Sequence, residues 1–109
     1  MGISLVQQPP YLSEVVDRIV QKFHPEKIIL FGSWARGEAR EDSDLDLLIV
    51  LAQVEHKRKA AIDVLRVLNG LPISKDVIVT TPQEIEERGK AVGYVLRPAL
   101  EEGKVVYEA

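Results

Sequence analysis

Two short stretches decide the reading: Gly32-Ser33-Trp34-Ala35-Arg36-Gly37 and Ser43-Asp44-Leu45-Asp46-Leu47. The first follows Lys27-Ile28-Ile29-Leu30-Phe31, a nearly continuous apolar run that predicts a short strand ending at the turn-permissive Gly32. The second opens another apolar run, Leu45 to Leu51, and predicts a second strand. Residues two apart on a strand share a face, so Asp44 and Asp46 project together while Leu45 and Leu47 point the other way.

Working outward, Leu12, Val15, Val16, Ile19, Val20 and Phe23 recur at three- and four-residue steps and predict an amphipathic helix that His24-Pro25 stops. After the second strand, Ala61, Val64, Leu65 and Leu68 mark a helix within Glu55 to Asn69, ended by Gly70 and Pro72. Lys75 to Thr80 alternates into a third strand, with Val77 and Val79 on one face and Asp76, Ile78 and Thr80 on the other. Thr81-Pro82-Gln83-Glu84 has the form of a helix start with a capping box. A further helix is expected from about Lys90 to Glu102, closed by Gly103, and Val105-Val106-Tyr107 reads as an edge strand. The fold class is therefore α/β (α+β), a mixed β-sheet covered largely on one face by helices.

The chain has 109 residues, 46% of them hydrophobic and 28% charged, which suits a single domain spanning residues 1–109. Seventeen acidic against fourteen basic residues give a net charge of −3, an argument against a protein that coats nucleic acid. With no cysteine, thiolate chemistry and Cys-ligated metals are excluded. The longest apolar run, Leu47 to Ala52, is too short for a membrane span, and the N-terminus lacks the pattern of a signal peptide, so a cytoplasmic protein is expected.

The chemistry lies in the aspartates. Asp76 joins Asp44 and Asp46 on one face if its strand lies beside the second. At an effective dielectric of 20, charges about 4 Å apart repel by roughly 4 kcal/mol, so three ionised carboxylates call for a counter-cation. An all-oxygen set suits Mg²⁺ or Mn²⁺, and three carboxylates can hold two such ions about 3.5–4 Å apart, as in nucleotidyl transfer. Gly32 lets a backbone N–H approach a phosphate, Ser33 can donate its hydroxyl beside the start of a helix, and Arg36 can offer a guanidinium fork.

Taken singly, each feature has a plainer reading. Gly-Ser after a strand is commonly a turn, Asp-x-Asp a solvated loop, and Asp76 a strand-edge carboxylate. Arg36 can pair with Glu38 or Glu41, and Trp34 can pack or touch a partner rather than stack on a base. His56-Lys57-Arg58-Lys59 is a basic cluster whose simplest role is a solvated helix face. Rival motifs fail on the letters: Glu38 follows Gly37 where a P-loop needs Lys, and Trp34 stands where a dinucleotide fingerprint needs Gly. The run Asp42-x-Asp44-x-Asp46 lacks the glycine and closing glutamate of an EF-hand.

Together, Gly32-Ser33, a ten-residue gap and Asp44-Leu45-Asp46 resemble the signature of the polymerase-beta-type nucleotidyltransferase superfamily, and in particular its minimal nucleotidyltransferase (MNT) family. The likeness extends over nearly the whole chain, including Lys75-Asp76-Val77-Ile78-Val79, and departs at Trp34, where the family often carries Arg. It implies a palm-like fold in which Asp44 and Asp46 bind two Mg²⁺ ions and Asp76 binds the catalytic one. By the same resemblance Gly32 and Ser33 hold the triphosphate of ATP. It further implies an adenylyltransferase antitoxin that moves AMP onto a tyrosine of a HEPN-domain ribonuclease toxin. The alternatives are an antitoxin that acts by contact alone and a stand-alone transferase for a small molecule. No membrane and no direct nucleic-acid contact are expected.

Overall fold

A computed structural model describes residues 8–89 and 96–109. In chain order its elements are α1 (Leu12–Phe23), β1 (Lys27–Phe31), α2 (Ser33–Arg36), β2 (Leu45–Val50), α3 (Lys57–Val67), β3 (Lys75–Thr80), α4 (Pro82–Arg88), α5 (Arg97–Glu102) and β4 (Lys104–Glu108). The four strands form one mixed sheet in the order β3-β2-β1-β4. β1 runs antiparallel to both β2 and β4, while β2 and β3 are parallel and joined by a crossover that contains α3.

Period-2 alternation on the strands sorts the apolar residues into two layers. Ile28, Leu30, Leu45, Leu47, Ile49, Val77 and Val79 pack beneath Val15 and Ile19 of α1, Val64 of α3 and Leu68 at its C-terminal cap. The opposite face carries Ile29, Leu48 and Val50, closed by Leu96 and Ala99 with Ile85 and Leu100 alongside. The larger layer thus lies under α1 and α3, as expected, and the short α4 and α5 supply what covers the second face. That second face also bears the carboxylates.

Where the expected elements differ, the cause is local. α1 stops where foreseen because His24 adopts a left-handed conformation (φ 50°), its N–H bonded to the Val20 carbonyl, ahead of the buried Pro25. The helix foreseen within 55–69 narrows to Lys57–Val67, and Gly70 turns the chain beyond it at φ 93°. Thr81 accepts the Glu84 N–H as the capping pattern requires, but the Glu84 carboxylate also binds Lys57 Nζ at 2.7 Å and the Thr80 hydroxyl. The helix foreseen from Lys90 is seen as Arg97–Glu102; its first expected residues, 90–95, lie outside the described ones. β4 is the edge strand foreseen at Val105-Val106-Tyr107, with a register break opposite Ile28 and Ile29. No helix among the described residues is long and apolar enough to cross a membrane.

Candidate active site

The sheet register assembles the site. Asp46 is the partner of Phe31 on β1 and of Asp76 on β3, so the end of β1 that leads into Gly32 and the start of β3 flank the same carboxylate. Asp44 is the residue just before β2, close enough for its charge to act on the Asp46 carboxyl. The starts of the two parallel strands are fastened together by the Leu45 N–H, which donates to the Ser74 carbonyl at 2.8 Å. Lys75, pointing to the other face from Asp76, donates its ammonium to the carbonyls of Leu71 (3.0 Å) and Ile73 (2.7 Å), pinning the approach to β3. Of the three aspartates singled out from sequence, Asp46 and Asp76 therefore share one end of one sheet face, and Asp44 adjoins them in the residue before β2. Asp44 and Asp76 are exposed and Asp46 is half-buried.

Gly32 is required more stringently than a phosphate turn alone demands. Its backbone sits at φ 75°, ψ −154°, a conformation essentially confined to glycine, and a Cβ there would collide with Asp46 Oδ2. The missing side chain is the space that the Asp46 carboxylate occupies. Beyond it α2 is a single turn, in which the Ala35 and Arg36 N–H groups donate to the Gly32 carbonyl at 3.1 Å each. So short a helix has little macrodipole, and its use toward an anion rests on the leading N–H groups and the Ser33 hydroxyl.

Electrostatics marks Asp46 as the strained member of the set. Burial pushes its carboxyl above the usual range, and the neighbouring charges of Asp76 and Asp44 push it further, with Arg36 acting in the opposite sense. Arg36 is exposed and already engaged: its Nε donates to Glu38 Oε1 at 2.8 Å, and Glu102 Oε1 of α5 lies 3.8 Å from Nη1. The bond to Glu38, with Glu102 and Asp46 nearby, holds its guanidinium more firmly protonated than an isolated one. The plainer pairing with Glu38 is thus present, and α5 supplies a second partner at the rim of the site.

Trp34 is 2% exposed and lies within the larger core layer, so its ring is not available to stack on a ligand. Its indole Nε1 donates to the Ser43 carbonyl at 3.3 Å. Of the basic cluster, Lys57 binds Glu84, 27 positions away. His56, Arg58 and Lys59 are exposed. The cluster follows β2, whereas the aspartates lie at the opposite end of that strand. Sequence reasoning did not single out Lys75 or Glu102, whose contacts with Leu71, Ile73 and Arg36 are set by tertiary structure rather than by any local pattern.

The donor set fits a hard divalent cation in its chemistry: all oxygen, close in register, and mutually repulsive at Asp46. Among the described residues no group of three or more His, Cys, Asp or Glu side chains is placed so that it could hold a metal ion, so the fit of these aspartates is one of donor chemistry and not of a formed three-ligand geometry. A cavity of about 520 Å³ lies elsewhere, bounded by Ile29, Val50, Ile85 and Leu100, and none of the three aspartates lines it. Its walls are mainly apolar, whereas the aspartate end joins convergent carboxylates to a glycine turn.

A family model, the nucleotidyltransferase domain, matches residues 12–106. Two Methanocaldococcus jannaschii proteins that carry the name "putative protein adenylyltransferase" are similar to the chain. One is 35% identical over 100 residues, 88% of this chain and 94% of its own length; the other is 33% identical over 102 residues, 89% and 69%. In three dimensions the chain is similar to a Sulfolobus solfataricus "putative nucleotidyltransferase" (TM-score 0.62, 23% identity, 87% of this chain and 75% of that one). It is also similar to a toxin–antitoxin crystallised with AMP-PNP (TM-score 0.63, 17% identity, 90% and 74%). At those identities the two structures speak for the fold alone. The sequence match over residues 12–106 goes further: the chain belongs to the nucleotidyltransferase domain family.

Proposed function

We propose that this chain transfers AMP from ATP to a tyrosine of a partner protein, a HEPN-domain ribonuclease toxin, and so acts as its antitoxin. The observation that carries the reading is the register Phe31–Asp46–Asp76, which sets a carboxylate pair beside the glycine turn, with the charge of Asp44 acting on the same carboxyl. The names of the relatives support a protein as acceptor, and that of the toxin–antitoxin neighbour supports a toxin as partner; the tyrosine and the HEPN domain come from the resemblance to the MNT family alone.

In this reading Asp44 and Asp46 would hold two Mg²⁺ ions and Asp76 would hold one of them. When bound, Mg²⁺ neutralises charge on the transferring phosphoryl group. The Gly32-Ser33 turn orients the triphosphate through its N–H groups and the Ser33 hydroxyl. Arg36, on the turn that follows Ser33, offers its guanidinium to the phosphates. Asp76 accepts the proton of the attacking tyrosine hydroxyl as its oxygen bonds to the α-phosphorus. The α-phosphorus bond to the bridging oxygen then breaks, and pyrophosphate leaves.

Incubation with α-labelled ATP, Mg²⁺ and a candidate toxin tests this. Label on a toxin tyrosine, lost in Asp44→Asn and Asp46→Asn, is the expected result. Toxin neutralisation that survives both substitutions would show contact alone to suffice, and label confined to small solutes would move the acceptor to that class.

A further inference from the structure

We infer that Trp34 is a positioning residue for Asp44, acting through its indole N–H. This rests on the reading of Asp44 as a metal ligand. Among the described residues, no hydrogen bond or ion pair holds the exposed Asp44 carboxylate, so its place is set by the backbone on either side. On the C-terminal side, the Leu45 N–H is fixed to the Ser74 carbonyl at 2.8 Å. On the N-terminal side, the Ser43 carbonyl accepts from Trp34 Nε1 at 3.3 Å.

Ser43 also closes the loop before it. Its hydroxyl oxygen accepts the Arg40 N–H at 2.8 Å, and its own N–H donates to the Arg40 carbonyl at 3.0 Å. Loop 40–43 is thereby a small closed unit, and the indole is the bond that ties it to α2. Since Ser33 and Arg36 lie on α2, the Trp34 bond to Ser43 links the turn proposed to face the phosphates with the residue that precedes Asp44. The indole ring fills the core, where the smaller phenyl ring would leave a gap, and the N–H is what reaches Ser43. Preorganisation of this kind appears in ligand affinity and turnover, because an unanchored carboxylate must be ordered each time the ion binds.

The test replaces Trp34 in the full chain with phenylalanine and, separately, with 3-benzothienylalanine, an isostere that has sulfur in place of the N–H. Mn²⁺ binding to each folded protein is followed by electron paramagnetic resonance. Both variants should bind Mn²⁺ about fivefold more weakly, the scale of one neutral hydrogen bond. Transfer should lose kcat with little change in KM for ATP, and 7-azatryptophan, which keeps the N–H, should restore both. Should Trp34→Phe fail to fold, the isostere decides. Native Mn²⁺ affinity in the benzothienylalanine protein would overturn the inference while leaving the metal reading intact. An unsubstituted, folded protein that binds no Mn²⁺ would overturn both.

Discussion

Replacing Gly32 with alanine separates two roles that one glycine holds together. The backbone at φ 75°, ψ −154° costs an alanine about 1–3 kcal/mol before any contact is considered. The added methyl would then meet Asp46 Oδ2, so the carboxylate must move or β1 and β2 must part. Gly37 provides the internal control: it also has positive φ, 74°, but a Cβ there meets nothing within 4 Å. Gly37→Ala should therefore cost about 1 kcal/mol, a fall of about 4–8 °C in Tm for a domain near this size, and leave transfer to the acceptor intact. Gly32→Ala should cost at least as much and abolish both transfer and Mg²⁺–ATP stabilisation. Thermal melts with and without Mg²⁺ and a non-hydrolysable ATP analogue read both effects. A Gly32→Ala protein that melts and binds like the unsubstituted chain would refute the reasoning, because the methyl would then have been accommodated without displacing Asp46.

Three further outcomes follow from the same geometry. Because the Asp46 carboxyl is raised in the folded state, it contributes stability at pH below its unfolded value that is lost as pH rises through the folded one. In EDTA, Asp46→Asn should therefore gain in Tm over the native chain as pH rises above that range, and equal pH profiles would contradict the electrostatic account. Lys75→Met removes the donor shared by Leu71 and Ile73 and should cost about 2 kcal/mol in urea denaturation. An unchanged midpoint would show those carbonyls to be satisfied otherwise. Leu47→Ala empties a fully buried position between α1, α3 and the sheet and should cost about 2–5 kcal/mol, whereas a loss below 1 kcal/mol would mean that the core closes over the gap.

Most strand and helix positions were legible because their apolar period agrees with their place in the layers. Lys75–Thr80 alternates cleanly because one face lies under α3 while the other carries Asp76 to the open end. Asp44-Leu45-Asp46 was legible for the same reason, since an Asp-Leu-Asp alternation continued by apolar residues fits a strand end with one wet face. Three features were not legible. The steric demand of Asp46 on Gly32 depends on how closely β1 and β2 approach. The engagement of Arg36 by Glu102 joins positions far apart in the chain. The indole bond of Trp34 depends on the path of loop 40–43, which no periodicity encodes. What sequence carried was the face and the order; what it did not carry were the contacts that hold each carboxylate in its place.

The most direct measurement is paramagnetic broadening of backbone amide resonances by Mn²⁺ bound with a non-hydrolysable ATP analogue. If this end of the sheet holds the metal–nucleotide pair, broadening will centre on Gly32, Ser33, Asp44 to Asp46 and Asp76 and will be abolished in Asp44→Asn/Asp46→Asn. Broadening centred instead on the acidic residues of α4, or undiminished in the double variant, would contradict it.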